Sequence, residues 1–279
     1  MKPTRTRIAL FGGDVSKSLS PQMHNLAFIS LRLPLTYEAF SISPRLFKRR
    51  FEEAKSIFLG LNITIPHKEA AALLIPNLSR SAHKLQAINT TLFTPKEIWG
   101  DNTDIDGFVS AVTQTGKPVD REKVAFILGA GGAARATIEG LHQMGMRSFV
   151  VASRSPQRIS SFENWFHRHY SNCKLECIGL DISFQKSWED FLDRSTIFVN
   201  AAPLEACQAL PFFDRIKFPK GMLVVDWVYL PKVTLWLKKG SRAKGTLVPG
   251  YKLLLYQGMK SFQIWTRLKR LRKSWKKHC

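Results

Sequence analysis

Cysteine is scarce in this chain: four residues in 279, at Cys173, Cys177, Cys207 and Cys279, too few and too irregularly spaced for a disulfide framework. All are expected to be free thiols. Long apolar runs are missing as well. No stretch approaches the roughly 20 apolar residues of a membrane-spanning helix, and MKPTRTRIALFGG passes from a short basic segment straight into strand-like IALF, without the apolar centre of a signal peptide. A soluble, cytoplasmic protein with no membrane partner is therefore expected. There is no internal repeat and no low-complexity segment, and 44% hydrophobic residues exclude global disorder. Acidic residues are also in short supply. Against 42 Lys plus Arg stand 21 Asp plus Glu, a formal charge of +21 that attracts anions and steers them toward a cleft. The densest basic run, RLKRLRKSWKK from Arg267 to Lys277, lies at the C-terminus, where a solvated helix end or frayed tail accounts for it, so no nucleic-acid partner is expected. The cluster His167 to His169 followed by Cys173 and Cys177 matches no zinc-site spacing, and no metal is expected.

What the chain does contain is two series of alternating strand-like and helix-like segments, with room for two domains of ordinary size. RIALF, PQMHNLAFISLRL, LTYEAF, PRLFKRRFEEAKSIF and GLNITI form a βαβαβ series, the mark of a parallel sheet covered by helices. After Asp104 come a helix-like IDGFVSAVTQ and the polar GKPVDREK, and then a second series begins. KVAFIL, SFVVAS, TIFVNAA and MLVVDWV read as buried strands and GGAARATIEGLHQM as a helix. A last helix candidate, YKLLLYQGMKSFQIWTRLKRL, follows TLVPG and carries an apolar stripe.

Four segments carry chemistry. In GLNITIPHKEAA, opening at Gly60, a strand pattern stops at Pro66 and delivers one lysine, Lys68, to the mouth of a helix, where it is placed for proton transfer. GAGGAA, Gly129 to Ala134, supplies the G-x-G-x-x-A dinucleotide fingerprint between a strand and a helix. Gly129 permits the tight turn, Gly131 lets backbone approach a pyrophosphate, and the helix N-terminus offers free N–H groups. One strand on, Ser153-Arg154-Ser155 and Arg158 stand where an NAD site carries an acid for the ribose hydroxyl; guanidinium groups match a 2′-phosphate, so NADP is favoured. SKSLSP places Ser18 and Ser20 in a turn before a helix, with Ser20 also a good N-cap ahead of Pro21. NTD, Asn102 to Asp104, supplies a carboxylate.

Read with QAINTT and YQG, these segments resemble the shikimate dehydrogenase family, in order and along nearly the whole chain. The resemblance implies an α/β, two-domain fold: an N-terminal α/β substrate domain over 1–104, a Rossmann-type NADP-binding domain over 105–248, and a C-terminal helical segment, 249–279, returning to complete the substrate domain and ending in the basic tail. It implies an NADP-dependent shikimate dehydrogenase that reversibly reduces 3-dehydroshikimate to shikimate for aromatic amino-acid biosynthesis, as monomer or homodimer. Lys68 would be the acid/base and Asp104 its partner; Ser18 and Ser20 would hold the substrate carboxylate, and Thr64, Asn89 and Gln257 the ring hydroxyls. Tyr229, in DWVYLP, would bind substrate, near the nicotinamide and the carboxylate. Gly129, Ala130, Gly131, Gly132, Ala133, Ser153, Arg154, Arg158, Ala201 and Gly250 would line the cofactor. The chain departs from the family pattern at Asp14 and Lys17 (usually Pro and His), in Gln86 to Thr90 (usually Gly-Ala-Val-Asn-Thr) and in Asn200-Ala201-Ala202 (usually Asn-Ala-Thr). These bear on substrate preference and rate. A quinate- or amino-analogue-using paralogue, a non-catalytic ligand sensor and a polyanion binder are the competing readings.

Overall fold

Pro44 and Phe58 bracket a segment in which Phe47, Phe51 and Ala54 recur at helical spacing, and it folds as α2 (Pro44–Ile57) with that stripe buried and the proline at the first helical position. The computed structural model describes residues 5–180, 185–203 and 216–268. Cys207, Cys279 and the basic run from residue 269 onward fall outside them. The chain divides into two compact units, Met1–Asp104 with Leu255–Cys279, and Ile105–Leu254.

In the first unit, α2 is preceded by β1 (Arg7–Gly12), α1 (Ser20–Ser30) and β2 (Thr36–Ser41). It is followed by β3 (Gly60–Ile63), α3 (Lys68–Ala72), β4 (Asn77–Leu78), α4 (Arg80–Leu85), β5 (Thr90–Phe93) and β6 (Ile98–Asp101). The sheet order is β2-β1-β3-β5-β6-β4. The βαβαβ stretch pairs in parallel, β1 with both β2 and β3, but the sheet as a whole is mixed, which corrects the parallel expectation: β5 runs antiparallel to β3 and to β6. The reason is the short Thr94–Glu97 turn, closed by Thr94 N–H to Glu97 O at 2.9 Å, which joins β5 to β6 as a hairpin and leaves no length for a crossover. The core gathers Phe11, Phe47, Phe51, Phe58, Leu61 and Phe93.

A second correction concerns Ser20. The helix α1 starts on it, with Leu19 in the cap position and no side-chain cap. Ser18 Oγ already accepts the Ser20 N–H at 3.3 Å, so the hydroxyl that meets this helix end belongs to Ser18.

The second unit holds α5 (Asp104–Thr113), which opens at the unit boundary, then β7 (Val124–Leu128), α6 (Gly132–Gln143), β8 (Ser148–Ser153), α7 (Pro156–His169) and β9 (Lys174–Gly179). α8 (Gln185–Asp193), β10 (Ser195–Asn200), β11 (Leu223–Asp226), α9 (Leu235–Arg242) and β12 (Thr246–Val248) follow. Its sheet has the order β12-β11-β10-β7-β8-β9, parallel throughout. The strand order reverses between β7 and β10, the topological switch at which doubly wound sheets open a ligand crevice. Phe126, Trp188, Phe198 and Trp236 form the centre of its core. The last helix, α10 (Gly250–Thr266), begins in this unit, and from Leu255 on its residues belong to the first. There Trp265 Nε1 donates to Thr91 O at 2.8 Å, and Phe262 stacks on Phe28 at 5.1 Å between centroids. Among the described residues no helix is long and apolar enough to cross a membrane.

Candidate active site

Lys68 is held by its backbone before its side chain does anything. Thr64 N–H donates to Phe11 O and His67 N–H to Thr64 O, both at 2.9 Å, so the chain turns sharply off β3. The buried His67 stacks on Phe47 at 4.3 Å and its Nε2 lies 2.7 Å from Ile42 O. On the other side, Lys68 O accepts Ile88 N–H at 3.0 Å. Pinned in this way, Lys68 opens α3 and its Nζ donates to Asp104 Oδ2 at 2.6 Å.

Asp104 is fixed more completely. Its Oδ1 accepts Asn89 Nδ2 at 2.8 Å, and its own N–H donates to Asn102 Oδ1 at 3.2 Å. The loop before it is tied down by Asp101, whose Oδ1 accepts from Ser79, from Ser81 at 3.1 Å and from Asn102 N–H at 2.8 Å. The Asp104 side chain is 7% exposed and that of Lys68 22%. The carboxylate is thus buried with both oxygens engaged, while the ammonium is open to solvent with two further hydrogens to offer.

Behind the pair runs a continuous polar network. Asn89 Oδ1 accepts Thr103 N–H at 2.8 Å and the Thr90 hydroxyl at 3.0 Å. Thr103 Oγ1 donates to Gln257 Oε1 at 3.3 Å and lies 3.1 Å from Ser261 Oγ. Asn62 Nδ2 donates to Asn89 O, Thr90 Oγ1 and Ser261 Oγ, and its Oδ1 accepts the Tyr37 hydroxyl at 2.7 Å. Burial raises the Tyr37 phenol well above its ordinary range, against a lowering hydrogen bond with Ser20, so it remains a donor. Lys68, Asp104, Asn89 and Gln257 therefore meet in one network. Ser18 and Thr64, on the turns that follow β1 and β3, are half-buried, and Ser20, the first residue of α1, is buried. Asn62, Thr103 and Ser261 were not among the sequence candidates. The available signal was an asparagine inside GLNI, a strand whose every position is buried.

The dinucleotide turn forms at the switch point. Gly129 has φ +106°, and a Cβ on it would meet Ala201 C and O at 2.9 Å, so only glycine fits between the ends of β7 and β10. Ala201 N–H donates to Leu128 O at 2.8 Å, which brings the two ends together. At Gly131 and Gly132 an added Cβ would meet nothing within 4 Å, leaving an open cradle at the N-terminus of α6. Ala130 lies in the turn and Ala133 in the first turn of α6. Ser153 ends β8 and is buried, Arg154 and Arg158 are exposed, and Ser155 caps α7 by accepting Arg158 N–H at 3.3 Å. Among the described residues no carboxylate stands at that strand end. Glycines without side chains, a free helix end and two arginines just beyond the end of β8, Arg158 already in α7, fit a pyrophosphate and a further phosphate.

Tyr229 lies half-buried in the loop after β11, and Gly250 packs beneath that loop: a Cβ on it would fall 2.5 Å from Val228 O. At the end of the same strand Asp226, 0% exposed, accepts from Asn200 Nδ2 at 2.8 Å, Val228 N–H at 2.9 Å and Thr234 Oγ1 at 2.5 Å. Burial pushes its carboxyl up to about 6, against the lowering effect of those three donors. His167 and His169 end α7, and Cys177 lies on β9, where burial and Glu163 push its thiol up to about 12. Among the described residues no group of His, Cys, Asp and Glu is arranged to hold a metal ion.

Residues 10–91 match the family model described as the shikimate dehydrogenase substrate binding domain. The chain is 35% identical over 263 residues to the shikimate dehydrogenase (NADP(+)) of Methanopyrus kandleri, covering 93% of this chain and 89% of that protein. It is likewise 35% identical to the Thermus thermophilus protein of the same description, covering 94% and 93%. The solved structure of the Thermus thermophilus shikimate 5-dehydrogenase in complex with NADP(H) and shikimate superposes with a TM-score of 0.81 at 32% identity, covering 98% of this chain and 97% of that one.

Proposed function

Because the chain belongs to the shikimate dehydrogenase family, we propose that it catalyses the reversible, NADP-dependent interconversion of 3-dehydroshikimate and shikimate, a step of aromatic amino-acid biosynthesis. The observation that carries this reading is the Lys68–Asp104 pair, at 2.6 Å, with Asn89 on the second carboxylate oxygen. NADPH, when bound, supplies the hydride to the ketone carbon. Lys68 donates a proton to the oxygen as it becomes an alkoxide, and takes one from the hydroxyl in the reverse direction. Asp104, buried and doubly hydrogen-bonded, holds the ammonium at that oxygen; a positioned acid/base of this kind contributes about 10² to 10⁴ in rate.

Ser18 and Ser20 bind the substrate carboxylate, and Thr64, Asn89 and Gln257 read its ring hydroxyls. A polar pocket of this kind rejects analogues that leave its groups unpaired. Tyr229, in the loop after β11, binds substrate near the nicotinamide and the carboxylate. Gly129 to Ala133 hold the pyrophosphate, Ser153, Arg154 and Arg158 the 2′-phosphate, and Ala201 and Gly250 give backbone room beside the nicotinamide. In this assignment residues 1–104 with 249–279 are the substrate domain and 105–248 the cofactor domain. The enzyme works in the cytoplasm, as monomer or homodimer, and its positive charge gathers anionic substrate and cofactor rather than nucleic acid.

The test is absorbance at the reduced-nicotinamide band with purified protein, shikimate and NADP, and with quinate and NAD in parallel. Shikimate-dependent reduction of NADP is expected, with NAD or quinate turned over far more slowly. Tight shikimate binding without turnover of any pair would make the protein a ligand sensor instead.

A further inference from the structure

A carboxylate with no exposure is expensive to keep, and all three of Asp226's hydrogen-bond partners in the structure are neutral: a side-chain amide, a backbone N–H and a hydroxyl. A neutral asparagine at this position would keep an acceptor for Asn200 and Val228 without burying a charge, so stability alone does not explain an acid here. What the carboxylate does is join three separate segments at one point. Asn200 ends β10, Val228 belongs to the loop leaving β11, and Thr234 caps α9 by accepting Leu237 N–H at 3.3 Å.

The connections continue outward on both sides. Asn200 Oδ1 accepts Ala202 N–H at 3.1 Å, and the Ala201–Ala202 peptide is the backbone against which Gly129 packs. Between Asp226 and Val228, Trp227 donates its N–H to Asn200 O at 2.9 Å and its Nε1 to Thr137 Oγ1 on α6 at 3.0 Å. The residue that follows these three tethered positions is Tyr229. The segment is thus fixed to the end of β10, on whose Ala201–Ala202 peptide the dinucleotide turn packs, and to α6, the helix that follows that turn.

We propose that Asp226 is a positioning residue for the reaction: it sets the place of Tyr229 relative to the dinucleotide turn and acts on turnover through Tyr229, without touching substrate or cofactor. The proposal rests on the function assigned above and on Tyr229 facing the substrate, and it predicts a loss in the chemical step out of proportion to any loss of cofactor binding.

The experiment compares the full-length parent with Asp226→Ala, Asp226→Asn, Tyr229→Ala and the Asp226→Ala/Tyr229→Ala double variant. Turnover of shikimate with NADP, NADPH binding by fluorescence titration, and amide hydrogen exchange are followed in each. Asp226→Ala is expected to lower kcat about 10- to 100-fold, the scale of a misplacement of about 1 Å, with NADPH affinity kept within about threefold. In the Tyr229→Ala background the same substitution should cost little more, because the two effects share one route. Faster exchange should be confined to residues 227–234. Asp226→Asn keeps an acceptor for Asn200 and Val228, so partial recovery is expected, and it serves as the test if the alanine variant fails to fold. Additive losses, or a uniform rise in exchange with equal loss of NADPH binding, would overturn the proposal in favour of a purely structural role. A parent that turns over nothing would reject the assigned function, and local against uniform exchange in the Asp226 variants would then decide the positioning role alone.

Discussion

Lys68 and Asp104 stand 36 residues apart in the chain and 2.6 Å apart in space, with the carboxylate further enclosed than the lysine. Removing the ammonium should therefore remove the proton donor and little else. Lys68→Ala is expected to lower kcat by about 10² to 10⁴ while NADPH titration stays unchanged; turnover within a few-fold of the parent would reject Lys68 as the acid/base. Arg154 and Arg158 make the complementary case. Replacing both with Ala should raise KM for NADP and leave the weak rate with NAD untouched, measured side by side. Asp226 carries a pH signature. Its carboxyl is raised from 3.8 to about 6 in the folded protein, so between those values the folded chain holds a proton that the unfolded chain has lost. The stabilisation is full below about pH 4 and is lost as pH rises through about 6, a decline of about 3 kcal/mol that denaturant titration should show in the parent and not in Asp226→Asn. Lys68 and the Rossmann glycines were legible in the sequence because each follows an apolar strand run with one reactive or permissive residue, whereas Asp104, in the polar NTD, was picked out through the family resemblance. Asn62 and Ser261 were not legible: each looks like an ordinary polar position of its own element, and the bond between them spans 199 residues.

Among the elements, the strands of the second unit were the easiest to read, since a sheet covered on both faces needs unbroken apolar runs such as Val124–Leu128 and residues 149–152. The β5–β6 hairpin gave no such signal. Its turn, TPKE, has neither Asn-Gly nor any glycine, and so the change of strand direction in the first sheet went unforeseen. The turn after β7 is the opposite case, because its glycine is required by geometry. Gly129→Ala would place a Cβ at φ +106° against the Ala201 carbonyl. A loss of at least about 1 kcal/mol in stability is expected, together with loss of NADPH binding, while shikimate binding by calorimetry persists.

For the molecule as a whole, charge and chain path matter most. A formal charge of +21 should make KM for both anionic ligands rise as salt is added, a screening effect to be read from initial rates at increasing ionic strength. The path is the more consequential property. Trp265 reaches back to Thr91 across 174 residues, beside a glycine, Gly60, whose missing side chain leaves room for the indole. Trp265→Ala should cost about 3 to 5 kcal/mol and expose sites in the first unit to protease, with the segment 105–254 staying resistant. The overall path was readable only through the resemblance, since nothing in the local pattern of α10 says which sheet it will join.

That late helix also sets a timetable. A ribosome releases the residues of the first sheet early, yet Asn62 and Thr91 receive their partners Ser261 and Trp265 only when α10 emerges. The inserted Ile105–Leu254 segment, whose sheet is drawn from one uninterrupted stretch, is able to settle first. The unit begun before the inserted segment is thus finished after it, and a truncation before Leu255 would leave it without its closing piece.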